Sequence, residues 1–222
     1  MAPGDVLLLE NLRFNSEETE GSIEFAKDLA MLGDVYVNDA FGTAHREHAS
    51  TATVAQFFKK GKKSFGFLME EEIKNATKVL NDPERPLTAI VGGAKVSDKI
   101  LLLEKLIDFA DNIIVGGGMA YTFIKAQGGK VGNSLVEDDR LKLALKLIKK
   151  AEKKKVNIYL PKDSVAADDF NAKAKKATKY SKRIPSGWMG LDIGEKAQKE
   201  FTEVILNSKT ILWNGPMGVF EM

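Results

Sequence analysis

The stretch LTAIVGGAKVSDKI, residues 87–100, follows an apolar run with two glycines and then sets Lys95 and Lys99 four residues apart. A glycine-rich turn that feeds a helix lets backbone N–H groups approach an anion closely and aims the positive end of the helix dipole at it. A lysine just inside adds a full charge. If the helix begins near Ala94, both ammonium groups reach one side of it, and an anion between them is favoured because like charges at this spacing repel. The simpler alternative is that Gly92 and Gly93 turn the chain and both lysines are solvated. Two further loops, GGGMAYTF at 116–123 and NGPMGVFE at 214–221, also follow apolar runs. Three glycine loops after three strands in one half of the chain point to a ligand of nucleotide size beyond the carboxyl ends of a parallel sheet.

The other half is of a different chemical kind. Its loops ENLRF (10–14) and NDAFGTAHREHAS (38–50) carry Arg13, His45, Arg46 and His48. A guanidinium fork suits a small carboxylate or phosphate, and the competing reading of either arginine is a surface ion pair. Asp39 and Glu10 are either bases or loop-orienting groups. The two histidines, three apart, would hold zinc only with carboxylates brought from elsewhere, and no metal site is expected. The chain has no cysteine, which excludes disulfides, thiol nucleophiles and thiolate metal sites. No G-x-x-x-x-G-K-[ST] is present and GGGMAY does not fit G-x-G-x-x-G, so neither a Walker-type NTPase nor a dinucleotide site is indicated.

Strands must end at these loops to place them. Short apolar runs alternate with stretches of helical period along the 222 residues, the pattern of a parallel sheet covered by helices. Strands are predicted at Val6–Leu9, Val35–Val37, Thr88–Val91, Asn112–Val115, Val156–Leu160 and Thr210–Trp213. Helices are predicted in SIEFAKDLAMLG, in FLMEEEIKNATKVLND and in EDDRLKLALKLIKKAEKKK, the last with Leu141, Leu145 and Ile148 on one face and its lysines solvated. Pro83 and Pro86 make the helix before them a connector between two α/β halves. A net charge of +2 gives no support for nucleic-acid or anionic-membrane binding. The opening MAPGDVLLLENLRF has only four consecutive apolar residues, too few for a signal peptide or a span, and a cytoplasmic location is expected.

The blocks LLLENLRF, VNDAFGTAHREHAS, GGAKVSDKI, GGGMAYTF, GWMGLDIG and WNGPMGVFE stand in the order and approximate spacing found in phosphoglycerate kinases, and from Pro3 to Glu221 the chain resembles that family. The resemblance implies an α/β architecture of two Rossmann-like, three-layer parallel-sheet domains joined by a hinge helix, both incomplete here. Residues 1–68 would be part of the phosphoglycerate-binding domain, 69–82 the hinge helix and 83–222 most of the nucleotide-binding domain. By the same matching, Lys95 would stabilise the transferring phosphoryl group and Lys99 would contact the nucleotide phosphates. Arg13 and Arg46 would hold phosphoglycerate, Arg13 joining Lys95 in catalysis. Gly93, Gly117 and Gly118 would back the nucleotide, Leu191 would touch the adenine, and Asn214, Pro216, Val219 and Glu221 would line the phosphate and ribose side.

The reaction so implied is phosphoryl transfer between 1,3-bisphosphoglycerate and ADP, with Mg2+ carried by ADP or ATP. In reverse the nucleophile is a carboxylate, ionised at neutral pH, so alignment, positive charge and water exclusion replace a general base. The family's D-F-N-V-P, G-G-G-D and S-T-G-G-G blocks are not in this sequence, including the aspartate that would contact magnesium. The chain is therefore expected to be an internal piece of a longer protein, with exposed sheet edges and a tendency to self-associate, whereas a complete family member is expected to be a monomer. Readings of other classes are a nucleotide-binding module without turnover and a scaffold fragment that binds no ligand.

Overall fold

All five residues of LTAIV are buried, the burial a strand needs when helices cover both faces of its sheet and the reason its sequence is apolar at every position but Thr88, whose hydroxyl is paired with that of Ser208. The computed structural model describes residues 2–221 and divides between Asn81 and Asp82 into two units. The first holds α1 (Ser16–Glu20), α2 (Ile23–Ala30), β1 (Tyr36–Asn38), β2 (Lys63–Phe65) and α3 (Phe67–Asn81). The second holds β3 (Leu87–Val91), α4 (Ile100–Phe109), β4 (Asn112–Val115), α5 (Met119–Ala126), β5 (Lys130–Val131), α6 (Leu141–Lys154), β6 (Asn157–Tyr159), β7 (Asp163–Ala167), β8 (Lys176–Tyr180), β9 (Arg183–Ile184), β10 (Met189–Ile193), α7 (Glu195–Leu206) and β11 (Thr210–Asn214).

The second unit is built on a parallel sheet in the order β11-β3-β4-β6. Asn214 stands opposite Val91, and Val91 opposite Val115. The loops leaving β11, β3 and β4 therefore emerge side by side at one edge. Ile90 and Ile114 pack against Ala197 and Phe201 of α7. Unexpected from the sequence is an antiparallel sheet in the order β10-β7-β8, with a short parallel pair β5-β9 beside it. A cluster of Tyr121, Ile124, Val131, Ala166 and Ile184 forms the core there.

In the first unit, β1 and β2 pair in parallel, and Ala26, Ala49 and Val54 form a small core lined by Phe25, Leu29, Tyr36 and Phe58. Two expectations are corrected. Val6–Leu9 is not a strand: the run pairs with nothing among the described residues, and Val6 and Leu8 are more than nine-tenths exposed. An apolar run becomes a strand only when a neighbour takes up its N–H and C=O groups. On α6 the buried face is Ala144, Leu147 and Ala151, while Leu145 is exposed. Small residues at that face let α6 lie close to its neighbours.

Candidate functional site

The three glycine loops of the second unit pack against one another, and that packing is what requires glycine. A Cβ on Gly92 would stand 1.9 Å from the Pro216 carbonyl oxygen, and one on Gly117 would stand 2.4 Å from the Gly93 carbonyl oxygen. Gly93 and Gly117 also hold φ at +136° and +68°, in the region that side chains disfavour. Hydrogen bonds tie the loops: Gly92 N–H donates to Asn214 O (2.8 Å), Gly117 N–H to Met217 O (2.6 Å) and Met119 N–H to Gly93 O (3.1 Å). The glycines thus build tight turns, and the backbone so assembled forms one side of a cavity.

That cavity measures about 460 Å³. Of the residues singled out from the sequence, Gly93, Gly117, Gly118, Leu191, Pro216 and Val219 line it. Val219 N–H donates to Leu191 O at 3.0 Å, which fixes the β11 loop against β10. The lining is completed by Ala94, Asn133, Leu135, Phe170, Met189, Gly190 and Gly218, residues that sequence reasoning did not single out. Ala94, Met189, Gly190 and Gly218 fell inside quoted blocks, whereas Asn133, Leu135 and Phe170 carry no local signal. A mainly apolar lining with exposed peptide groups accommodates a flat ring and its polar edge.

The charged residues stand outside the lining. The segment Ser97–Lys99 is a 3-10 turn and α4 begins at Ile100, so Lys95 lies in the loop and does not share a helix face with Lys99 as the spacing suggested. Lys95 is exposed; Lys99 is half-buried and its Nζ donates to Asn214 Oδ1. Asn214 and Glu221 are exposed. The loop is anchored by Glu137, whose Oε1 accepts from Ser97 Oγ (2.6 Å) and whose Oε2 accepts from Ser97 N–H (3.0 Å). Burial opposes ionisation of Glu137, but these bonds, the Val96 N–H and the charge of Arg140 outweigh it and hold its pKa below the usual glutamate range.

In the first unit a cavity of about 360 Å³ is lined by Arg13, Glu18, Asn38, Asp39, Thr43 and His48, among others. Arg46 is exposed and not part of that lining, and His45 is exposed as well. His48 is buried with Nδ1 3.7 Å from Glu18 Oε1, and Glu18 also accepts from Ser50 N–H (2.9 Å) and Ser50 Oγ (2.6 Å). Burial, with the Glu18 charge behind it, raises the pKa of Tyr36. Asp39 Oδ1 accepts the Met69 N–H at 2.9 Å in the first turn of α3, so this carboxylate orients the helix start. Glu10 accepts the neighbouring Asn11 N–H at 2.8 Å.

Sheet order and glycine-loop placement define a Rossmann-like α/β protein. The chain belongs to the phosphoglycerate kinase family, which it matches over residues 1–222. It is 53% identical over 221 residues to the phosphoglycerate kinase of Prochlorococcus marinus and 50% identical to that of Clostridium botulinum, covering all of this chain but 54% and 55% of those proteins. Among solved structures it superposes on phosphoglycerate kinase from Coxiella burnetii with a TM-score of 0.83 and 44% identity, over 99% of this chain and 56% of that one. The corresponding values for the Pyrococcus horikoshii enzyme are 0.79, 30%, 98% and 56%. The chain thus spans about half the length of the curated relatives it matches. Among the described residues no helix is long and apolar enough to cross a membrane.

Proposed function

We propose that the chain carries the nucleotide site and part of the phosphoglycerate site of a cytoplasmic glycolytic kinase, which passes a phosphoryl group between 1,3-bisphosphoglycerate and ADP to give 3-phosphoglycerate and ATP. The observation that supports this best is the convergence of Gly93, Gly117, Gly118, Leu191, Pro216 and Val219 on one cavity from four separate segments. The adenine lies against Leu191, and the ribose and phosphates run along Pro216 and Val219 toward Asn214, Glu221 and the β3 loop. Lys99, steadied by Asn214, presents its charge to the nucleotide phosphates, and Lys95 stabilises the phosphoryl group in transfer. Arg13 and Arg46 hold the phosphoglycerate, with α3 as the connector between the two units. Magnesium enters with the nucleotide. The described residues hold no cluster of three or more His, Asp or Glu side chains that could hold a metal ion.

Calorimetric titration with magnesium ADP tests the reading. Saturable binding is expected, weakened about tenfold or more in Lys95→Ala combined with Lys99→Ala, because each lysine supplies a charge-assisted contact of roughly 1 kcal/mol or more. Equal affinity in the double variant contradicts it. Since the chain spans about half of its relatives' length, binding of magnesium ADP without measurable ATP formation from 1,3-bisphosphoglycerate is expected of the chain alone.

A further inference from the structure

The second unit contains a larger cavity, about 700 Å³, that shares no lining residue with the glycine-loop cavity. Its walls are apolar where α5 meets the β6 edge: Ile124, Ile158, Leu160 and Pro161. The remaining lining is polar, with Gln127, Tyr159 and Tyr180 beside three cations, Lys162, Lys182 and Arg183, and one anion, Glu200. Ser181 N–H donates to Lys162 O at 3.1 Å and Lys130 N–H to Lys182 O at 2.9 Å, while Lys130 stands opposite Arg183 in the β5-β9 pair. Backbone pairing therefore brings the segments of Lys162, Lys182 and Arg183 to the cavity, with Lys130 beside it but outside the lining. Glu200 is the one carboxylate in the lining, and Lys162 engages it at 2.9 Å. Lys182 and Arg183 have no carboxylate partner among the described residues. Outside the lining, Lys196 Nζ donates to the Tyr180 phenol oxygen (2.8 Å), with the Asp163 charge acting on both groups. A cleft with low-dielectric walls focuses such a field on whatever enters it.

We propose that this cavity is a second ligand site, separate from the nucleotide site, which takes an organic anion: an aromatic or aliphatic body against Ile124, Ile158 and Leu160, and an acidic head held by Lys182 and Arg183. The test uses naphthalene-1-sulfonate as probe and the isotope-labelled chain, read by amide chemical shifts. Saturable shifts are expected at residues 158–162 and 180–183. Affinity should fall about tenfold or more when Lys182→Glu and Arg183→Glu are combined, since two screened attractive ion contacts turn repulsive. Gln127→Trp, which fills the cavity without changing charge, should weaken binding similarly and keeps the test decisive if the charge-reversed variant does not fold. Equal binding in either folded variant overturns the proposal. So does an unshifted wild type, or shifts scattered over exposed apolar residues such as Phe67, Phe170 and Leu206.

Discussion

Replacing Gly92 by alanine should damage the second unit through sterics alone. Gly92 is not among the positive-φ glycines, so its backbone suits any residue. The new Cβ would stand 1.9 Å from Pro216 O and 2.5 Å from Pro216 C, backbone atoms that cannot swing aside as a side-chain tip can. Ordinary contact begins at 3.4 Å, so the β3 and β11 loops must part by about 1.5 Å. The hydrogen bond from Gly92 N–H to Asn214 O spans that seam, and the one from Gly117 N–H to Met217 O, which ties the same β11 loop to the β4 loop, is strained by the shift as well. Their loss at roughly 1 kcal/mol each, with overpacking strain of about 1–3 kcal/mol, gives a destabilisation of about 3–5 kcal/mol. Gly128→Ala is the control: φ is +87° with nothing within 4 Å of the added Cβ, so only the left-handed penalty of about 1–2 kcal/mol applies. Urea unfolding followed by tryptophan fluorescence reports on this unit alone, because Trp188 and Trp213, the chain's two tryptophans, both lie in it. If Gly92→Ala costs no more than Gly128→Ala, the loops do not meet as described.

Asp163 is buried in β7 and caps α7 from a distance, Oδ1 accepting Ala197 N–H at 2.8 Å and Oδ2 accepting Lys196 N–H at 3.1 Å. Asp163→Ala should cost about 2–3 kcal/mol in the same unfolding assay, with Asp163→Asn recovering part. Burial pushes the Tyr121 hydroxyl up to about 12. The unfolded chain ionises this phenol first, so the corresponding stability is complete below about pH 10 and is lost as the pH rises toward the folded value. That loss amounts to about 2–3 kcal/mol, and in Tyr121→Phe, measured by urea midpoints against pH, it should be absent. Glu137 has the opposite sign: its lowered pKa contributes stability above the ordinary glutamate range that is lost as the pH falls through the folded value. Glu137→Gln should flatten the acid limb of the unfolding midpoint and cost under about 1 kcal/mol near neutrality, the group being partly solvated.

The strands of the β11-β3-β4-β6 sheet were legible because burial on both faces leaves a mostly apolar run, as at Leu87–Val91 and Asn112–Val115. The antiparallel sheet was not. KATKY has no apolar alternation, because β8 exposes Lys176, Thr178 and Tyr180 and half-buries Ala177 and Lys179, and DSVAA has a single β-branched residue, Val165, of the kind by which strands are recognised. Residues 6–9 have the right composition, but composition does not reveal whether a partner strand is present. On α6 the expectation favoured the largest side chains, whereas the contact uses Ala144 and Ala151. At the site, the glycine loops were legible from turn chemistry. Phe170, Asn133 and Leu135 were not, because folding brings them to the cavity from segments with no motif.

The most direct test of the central claim, that the glycine-loop cavity holds a nucleotide, is amide chemical-shift mapping of the isotope-labelled chain titrated with magnesium ADP. The largest saturable shifts should fall at Gly93, Gly117, Gly118, Leu191, Gly218 and Val219, the residues around the 460 Å³ cavity. Shifts centred elsewhere, or none in a chain whose spectrum is that of a folded protein, would contradict the account.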